Sequence, residues 1–363
     1  MAIVTVLGAG RMGTAFCTPL LERGHEVRLV GTHLDVAYID ALRSDGIHPG
    51  LGHPLPSGAS FHQLDELATA LRGAEMLALG VSSAGLAWAS RTLAGLLTHP
   101  MPLVMVTKGL HWDGARFRLL PDILVDGLPE RVRAGMRPVA VTWPCVAGEL
   151  IRRRDTSVVF TGRDAAAVKV WADAAATHYY HVWQSTEFAG CEACAALKNA
   201  FAVAVGFAGG ALERDGGQAD SVSSGVAAHN VEASVFAEAI VEMSELVGLV
   251  GGCPSTAFGL VGVGDLLVTL HARSVRLGRL LGRGLTLQQA RQEMVGVTLE
   301  GVATIQTFAE ALQALDVSGR TTPGQFPLMR HLVSVIGVGP VAIPFDRFFG
   351  GRGQPDALTA RVP

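Results

Sequence analysis

The chain has little charge and no surplus of positive charge. Charged residues make up 17% of its 363 positions, and 29 Lys and Arg against 32 Asp and Glu leave a formal net charge of -3. Phosphate backbones select for a cationic face, so this balance argues against general nucleic-acid binding. No uninterrupted apolar run reaches the roughly 18 residues of a membrane-crossing helix, so no membrane span is expected. The opening Met1-Ala2-Ile3-Val4 lacks the basic segment of a signal peptide and reads as a strand, which makes cytoplasm the expected compartment. Cysteines are sparse and odd in number (Cys17, Cys145, Cys191, Cys194, Cys253), so no disulfide framework is expected. Cys191 and Cys194 form a lone CxxC without a second pair or a nearby His, and no metal site is expected there. Internal repeats and low-complexity tracts are also missing.

What is present is apolar and alternating. Hydrophobic residues make up 49% of the chain, ample for a large core, and the length favours two domains. Apolar runs at 3–7 (IVTVL), 27–30 (VRLV), 76–81, 102–107, 139–143 and 157–161 read as strands. Helix-like stretches such as 84–97 separate several of them, which predicts a parallel sheet covered on both faces. After about residue 185 the texture becomes Ala- and Val-rich with helical spacing, at 187–212, 226–250, 285–294 and 299–315. The expected organisation is an α/β domain over 1–184, an all-helical domain over 185–345, and a flexible tail over 346–363. The polar stretch 213–226 reads as a mobile loop within the helical half.

Gly8, Gly10 and Gly13 form GxGxxG between the first strand and the first helix. The first glycine permits the tight turn, the second lets backbone approach a pyrophosphate, and the third allows close helix–strand packing. Dinucleotide binding follows. The end of the second strand holds Gly31-Thr32-His33, with the first acid, Asp35, slightly late. An acid there would bind the ribose 2′-hydroxyl and repel a 2′-phosphate; its displacement leans the choice between NAD and NADP toward NADP. Lys108 ends a strand in VTKGL, and Lys198 lies in ALKNA on an apolar helix. A lysine in such surroundings is either a desolvated proton-transfer group or one that snorkels to the surface. Asp265, in GVGDLL, is either a helix N-cap or a partner for a lysine or a substrate hydroxyl. Arg273 and Arg276 read as a solvated helix face unless a phosphate binds them.

Together these pieces resemble the NAD(P)-dependent sn-glycerol-3-phosphate dehydrogenase family. The resemblance is carried by LGAGRMGTAF (7–16), VTKGL (106–110), ALKNAFAVAVG (196–206), GLVGVGDLLVT (259–269), RLGRLLGRG (276–284) and TLEGVAT (298–304). The stretch VGTHLDVAYIDALRSDGIHPGLG is most similar to the archaeal-type branch. The resemblance implies a Rossmann-like doubly wound N-terminal domain and an all-α C-terminal domain of the 6-phosphogluconate-dehydrogenase-like kind. It implies Lys198 as the proton acceptor for the C2 hydroxyl, with Lys108 against substrate and nicotinamide and Asp265 in contact with substrate. Arg273 would bind the phosphate and reach the cofactor, and Glu300 would touch the nucleotide. Arg11, Met12, Thr32, His33 and Ala147 would line the cofactor, while Trp143, Cys145 and Ser274 fall at substrate-facing positions. The partner implied is a small-molecule substrate, and the apolar helix of 226–250 offers a homodimer interface.

The substrate shell departs from the family pattern. The family's Ser-Gly-Pro stands here as Thr142-Trp143-Pro144, and its Ser-Arg-Asn as Ala272-Arg273-Ser274. A family arginine aligns with Glu238, and residues are added between Lys198 and Asn230. Trp143 is expected to reshape the substrate pocket. Three readings remain open on this basis: a glycerol-3-phosphate dehydrogenase, a paralogue acting on another hydroxylated substrate, and a nucleotide-binding sensor without turnover.

Overall fold

The structure, a computed structural model, describes residues 1–142, 144–215, 229–297 and 299–348. Trp143, residues 216–226 of the expected loop, and residues 349–363 of the expected tail lie outside the described residues. By its internal contacts the chain divides into two units. The first comprises Met1–His111, Arg118–Ala195 and Val250–Asp265; the second comprises Trp112–Phe117, Ala196–Leu249 and the chain from Leu266 on.

The first unit is built on an eight-stranded sheet. Its strands are β1 (Ile3–Leu7), β2 (Glu26–Val30), β3 (Ala59–His62), β4 (Met76–Leu79) and β5 (Leu103–Met105), followed after a short hairpin, β6 (Leu110–Trp112) and β7 (Phe117–Leu119), by β8 (Pro138–Thr142), β9 (Thr156–Thr161) and β10 (Tyr180–Ser185). The order is β10-β9-β8-β5-β4-β1-β2-β3. Side chains alternate across the sheet as a period of two requires. Val4, Val6, Met76, Ala78 and Val104 enter one core cluster. Leu7, Leu77, Leu79, Leu103 and Met105 enter another. Helices such as Arg11–Glu22 and Leu86–Leu96 supply the covering layers.

The sheet is not wholly parallel, in contrast to the expectation. β9 runs antiparallel to β8, and β10 returns parallel to β9. Among the described residues the link between β8 and β9 contains only the four-residue helix Ala147–Leu150, whereas a parallel crossover usually runs through a longer helix. The helix Ala165–Ala175 provides that crossover from β9 to β10.

Among the described residues no strand follows Ser185. In the second unit the long helix Phe188–Arg214 continues from Ala196 and crosses the helix Arg273–Gly282 with glycines on both sides. A Cβ on Gly206 would sit 2.3 Å from the Val275 carbonyl oxygen, and one on Gly210 would sit 2.1 Å from that of Arg279. Reciprocally, Gly278 and Gly282 face the carbonyl oxygens of Val203 and Phe207 at 2.1 and 2.2 Å. This is small-xxx-small packing, in which missing side chains let two backbones touch. By length and composition Phe188–Arg214 could cross a membrane, yet 83% of its apolar window is buried, as in the central helix of a folded core.

Candidate active site

The glycine loop after β1 has the shape its sequence demands. Gly8 has φ of 113°, a conformation open to glycine at little steric cost. A Cβ there would lie 2.7 Å from the Gly80 carbonyl carbon, at the end of β4. A Cβ on Gly13 would strike the Gly8 oxygen at 2.1 Å, so this glycine lets the helix Arg11–Glu22 close on the strand. A Cβ on Gly10 would meet nothing within 4 Å. The helix carries no acid in its first turn, and its free N–H groups and dipole favour an anion. Arg11 is exposed at this end, and Met12 is half-buried against the core.

Between Gly8 and Gly10, both backbone groups of Ala9 are held by side chains. Its N–H donates to Asp35 Oδ2 at 3.1 Å, and its carbonyl accepts from Thr14 Oγ1 at 3.2 Å and lies 3.0 Å from His48 Nε2. The same Asp35 oxygen accepts from the Thr32 N–H and hydroxyl, both at 2.8 Å. Thr32 and Asp35 are buried. His33 is exposed, with its ring edge-on to Trp88 at 5.6 Å.

Lys108 and Asp265 form a buried pair in the same unit. Nζ lies 3.6 Å from Oδ2, with side-chain exposures of 10% and 1%. Asp265 is the first residue of the helix Asp265–Thr269, which follows a single π-helical turn over Leu260–Gly264. Within the charge field of Lys108 lies Glu192, fully buried, with both carboxyl oxygens lacking a hydrogen-bond partner. Burial pushes the Glu192 carboxyl up to about 8, against the pull of Lys108 and with a smaller push from Asp122. Ala147 is buried and Cys145 half-buried, both against the core that includes the glycine-loop residues.

In the helical unit Lys198 is buried, 7% exposed, so it does not snorkel to the surface. Its neighbour Asn199 donates through Nδ2 to Glu300 Oε2 at 3.1 Å, and Arg273 pairs with Glu300 Oε1 at 3.2 Å. Arg273 is half exposed, Ser274 buried, and Arg276 donates to the Glu293 carbonyl. Glu238 is fully buried. Among the described residues no group of three or more His, Cys, Asp or Glu is placed to hold a metal ion.

Glu192, Asn199 and His48 join the site without having been among the residues expected from the sequence, and Asp35 does more than a displaced ribose acid would. Glu192 was detectable as an acid inside the apolar run FAGCEACAALKNAFAVAVG, where a carboxylate is costly. His48 lies in the stretch similar to the archaeal-type branch, yet its role is not visible locally, because its partner Ala9 is 39 residues away.

Comparison with known proteins accounts for both halves of the chain. The family profile "NAD-dependent glycerol-3-phosphate dehydrogenase N-terminus" matches residues 3–168, and the corresponding C-terminus profile matches residues 187–339. A protein of Archaeoglobus fulgidus named NADP(+)-dependent glycerol-3-phosphate dehydrogenase is 33% identical over 320 residues, covering 88% of this chain and 90% of the relative. A Streptococcus gordonii protein named glycerol-3-phosphate dehydrogenase [NAD(P)+] is 30% identical, covering 86% and 88%. The crystal structure of glycerol-3-phosphate dehydrogenase from Coxiella burnetii shares the fold, with a TM-score of 0.74 at 24% identity over 93% of this chain and 94% of that one. Profiles over both halves and a relative matched nearly end to end leave one assignment: the chain belongs to the NAD-dependent glycerol-3-phosphate dehydrogenase family.

Proposed function

We propose that this chain catalyses reversible hydride transfer between sn-glycerol 3-phosphate and dihydroxyacetone phosphate, with NAD(P) as cofactor. The observation that carries the reading is the buried Lys108–Asp265 pair at 3.6 Å, in a family whose named relatives act on this substrate. The glycine loop fits the cofactor's pyrophosphate: Gly10 leaves its approach open, and Arg11 adds charge at a helix start without acids. Bound NAD(P) supplies a nicotinamide that accepts or returns the hydride. Lys198, buried in its helix, takes the proton from the C2 hydroxyl during oxidation and returns it during reduction. Lys108, held by Asp265, orients the substrate oxygens, while Arg273 binds the phosphate and Glu300 the nucleotide. Thr32, His33, Met12 and Ala147 line the cofactor, and Cys145 and Ser274 the substrate. On this reading residues 1–184 carry the nucleotide and residues 185–345 the proton-transfer lysine. NADP is favoured because Asp35, the acid that would bind a ribose 2′-hydroxyl, is buried and accepts instead from Thr32 and the Ala9 N–H.

A second reading, a paralogue acting on another polyol phosphate, is favoured by buried Glu238 at the place of a family arginine and by Ala272 beside buried Ser274. Purified protein with dihydroxyacetone phosphate should oxidise NADPH, and NADH more weakly, and Lys198→Ala should abolish this. No turnover there, with turnover of a larger keto phosphate, would establish the second reading instead.

A further inference from the structure

We propose that Asp35 and His48 are positioning residues for the nucleotide, clamping the two peptide groups that flank Ala9 and pre-setting the glycine loop, and that Asp35 does not read the ribose. The inference rests on the reading that NAD(P) binds at this loop. Asp35 Oδ2 takes the N–H of the Gly8–Ala9 peptide at 3.1 Å, and His48 Nε2 stands 3.0 Å from the oxygen of the Ala9–Gly10 peptide. A trans peptide is planar, with its N–H opposed to its C=O. Fixing the Ala9 oxygen therefore aims the Gly10 N–H the opposite way, and Gly10 is the glycine whose Cβ direction is open.

The tautomer of His48 follows from its second contact. Gly50 N–H donates to Nδ1 at 3.0 Å, so the ring proton sits on Nε2 and Nε2–H donates to Ala9. The Tyr38 ring packs 4.5 Å from the imidazole and holds its plane. Burial draws the His48 pKa below its usual value, which keeps the ring in this neutral form. The segment HPGLG (48–52) thus carries the loop's support: Gly50 lies where a Cβ would come 3.2 Å from the imidazole and 3.3 Å from the Arg11 stem.

Asp35 is committed in the same way. One of its oxygens accepts three donors, two from Thr32 and one from the loop, and the residue is 8% exposed. In the common fingerprint the acid after the second strand binds the ribose 2′-hydroxyl; here it ties the end of β2 to the glycine loop.

Titration of NADH and NADPH fluorescence with the full chain tests this without any ketone substrate. Asp35→Asn should raise Kd for both nucleotides by the same factor, about tenfold, because a shared pyrophosphate loop is loosened. Weakened NADH with unchanged NADPH would mark Asp35 as a ribose reader and overturn the proposal, as would unchanged affinity for both. His48→Phe keeps a ring against Tyr38 but loses the donor, and should also weaken both about tenfold. His48→Gln restores an N–H at similar reach and should recover most of that loss; equal affinity of Phe and Gln variants overturns the His48 assignment. Binding stoichiometry separates misfolding, which lowers the number of sites, from loop loosening, which raises Kd. A wild-type chain that binds nucleotide without turning over dihydroxyacetone phosphate overturns the proposed reaction and leaves the clamp standing.

Discussion

Lys108 Nζ lies 3.6 Å from Asp265 Oδ2, and water reaches neither side chain freely. Removing one member of a buried pair strands the other charge, at a cost of about 3–5 kcal/mol, whereas removing both together is often close to neutral. Asp265→Leu and Lys108→Met should each lower the urea midpoint markedly, and the double variant should recover most of it. Turnover should stay lost in all three. A double variant no more stable than the singles would show that the two residues do not act as a pair.

Much of this was legible in the sequence, for reasons that differ by element. The central strands β1, β4, β5 and β8 are buried on both faces and read as continuous apolar runs. The edge strands β3 (ASFH) and β10 (YHVWQS) carry no such run, because nearly all their positions are half-buried or exposed. Composition held one unused signal. The chain has three lysines, Lys108, Lys169 and Lys198; the two within the family motifs are shielded from water, while Lys169 pairs with Asp173 on an open helix face. The clamp on Ala9 could not be read locally, since Asp35 and His48 reach it across 26 and 39 residues.

Glu192 should make stability depend on pH. Its folded pKa is raised from 4.5 to about 8, so between those values the folded chain holds a proton that the unfolded chain releases. Stability from this group is therefore greatest below about pH 4.5, falls as pH rises, and levels off above about 8. Glu192→Gln removes the titration while keeping the shape. The stability of the Gln variant relative to wild type should climb between pH 5 and pH 8 and then flatten, as read from urea midpoints at each pH. A difference that stays constant across that range would place the ionisation elsewhere.

Two glycine-to-alanine changes should act with opposite sign. At Gly278 the added methyl would lie 2.1 Å from the Val203 oxygen in the facing helix, so the helices must part, costing about 1–3 kcal/mol. At Gly95, in the helix Leu86–Leu96, nothing lies within 4 Å of the new Cβ. There the loss of unfolded-state freedom should stabilise by about 0.4–1 kcal/mol. Thermal melting of the two variants checks both. Equal shifts would mean that the close helix crossing does not limit packing.

Glu242 holds the start of the helix Pro327–Gly337 from another helix, His229–Val250. Pro327 has no N–H to satisfy, and the next two, on Leu328 and Met329, donate to Glu242 Oε1 and Oε2 at 2.5 and 2.9 Å. Both oxygens are thus engaged at a positive helix end, far more than a surface carboxylate would achieve. Phe326, just before the helix, sits at φ 59°; the cap helps hold a backbone conformation that a bulky residue adopts at a cost. Glu242→Ala leaves two buried N–H groups without an acceptor, at about 1–3 kcal/mol each. Glu242→Gln keeps one acceptor and should fall between. Amide exchange at Leu328 and Met329 should quicken in the order wild type, Gln, Ala, and an unchanged exchange rate in the Ala variant would show that the helix start is held by something else.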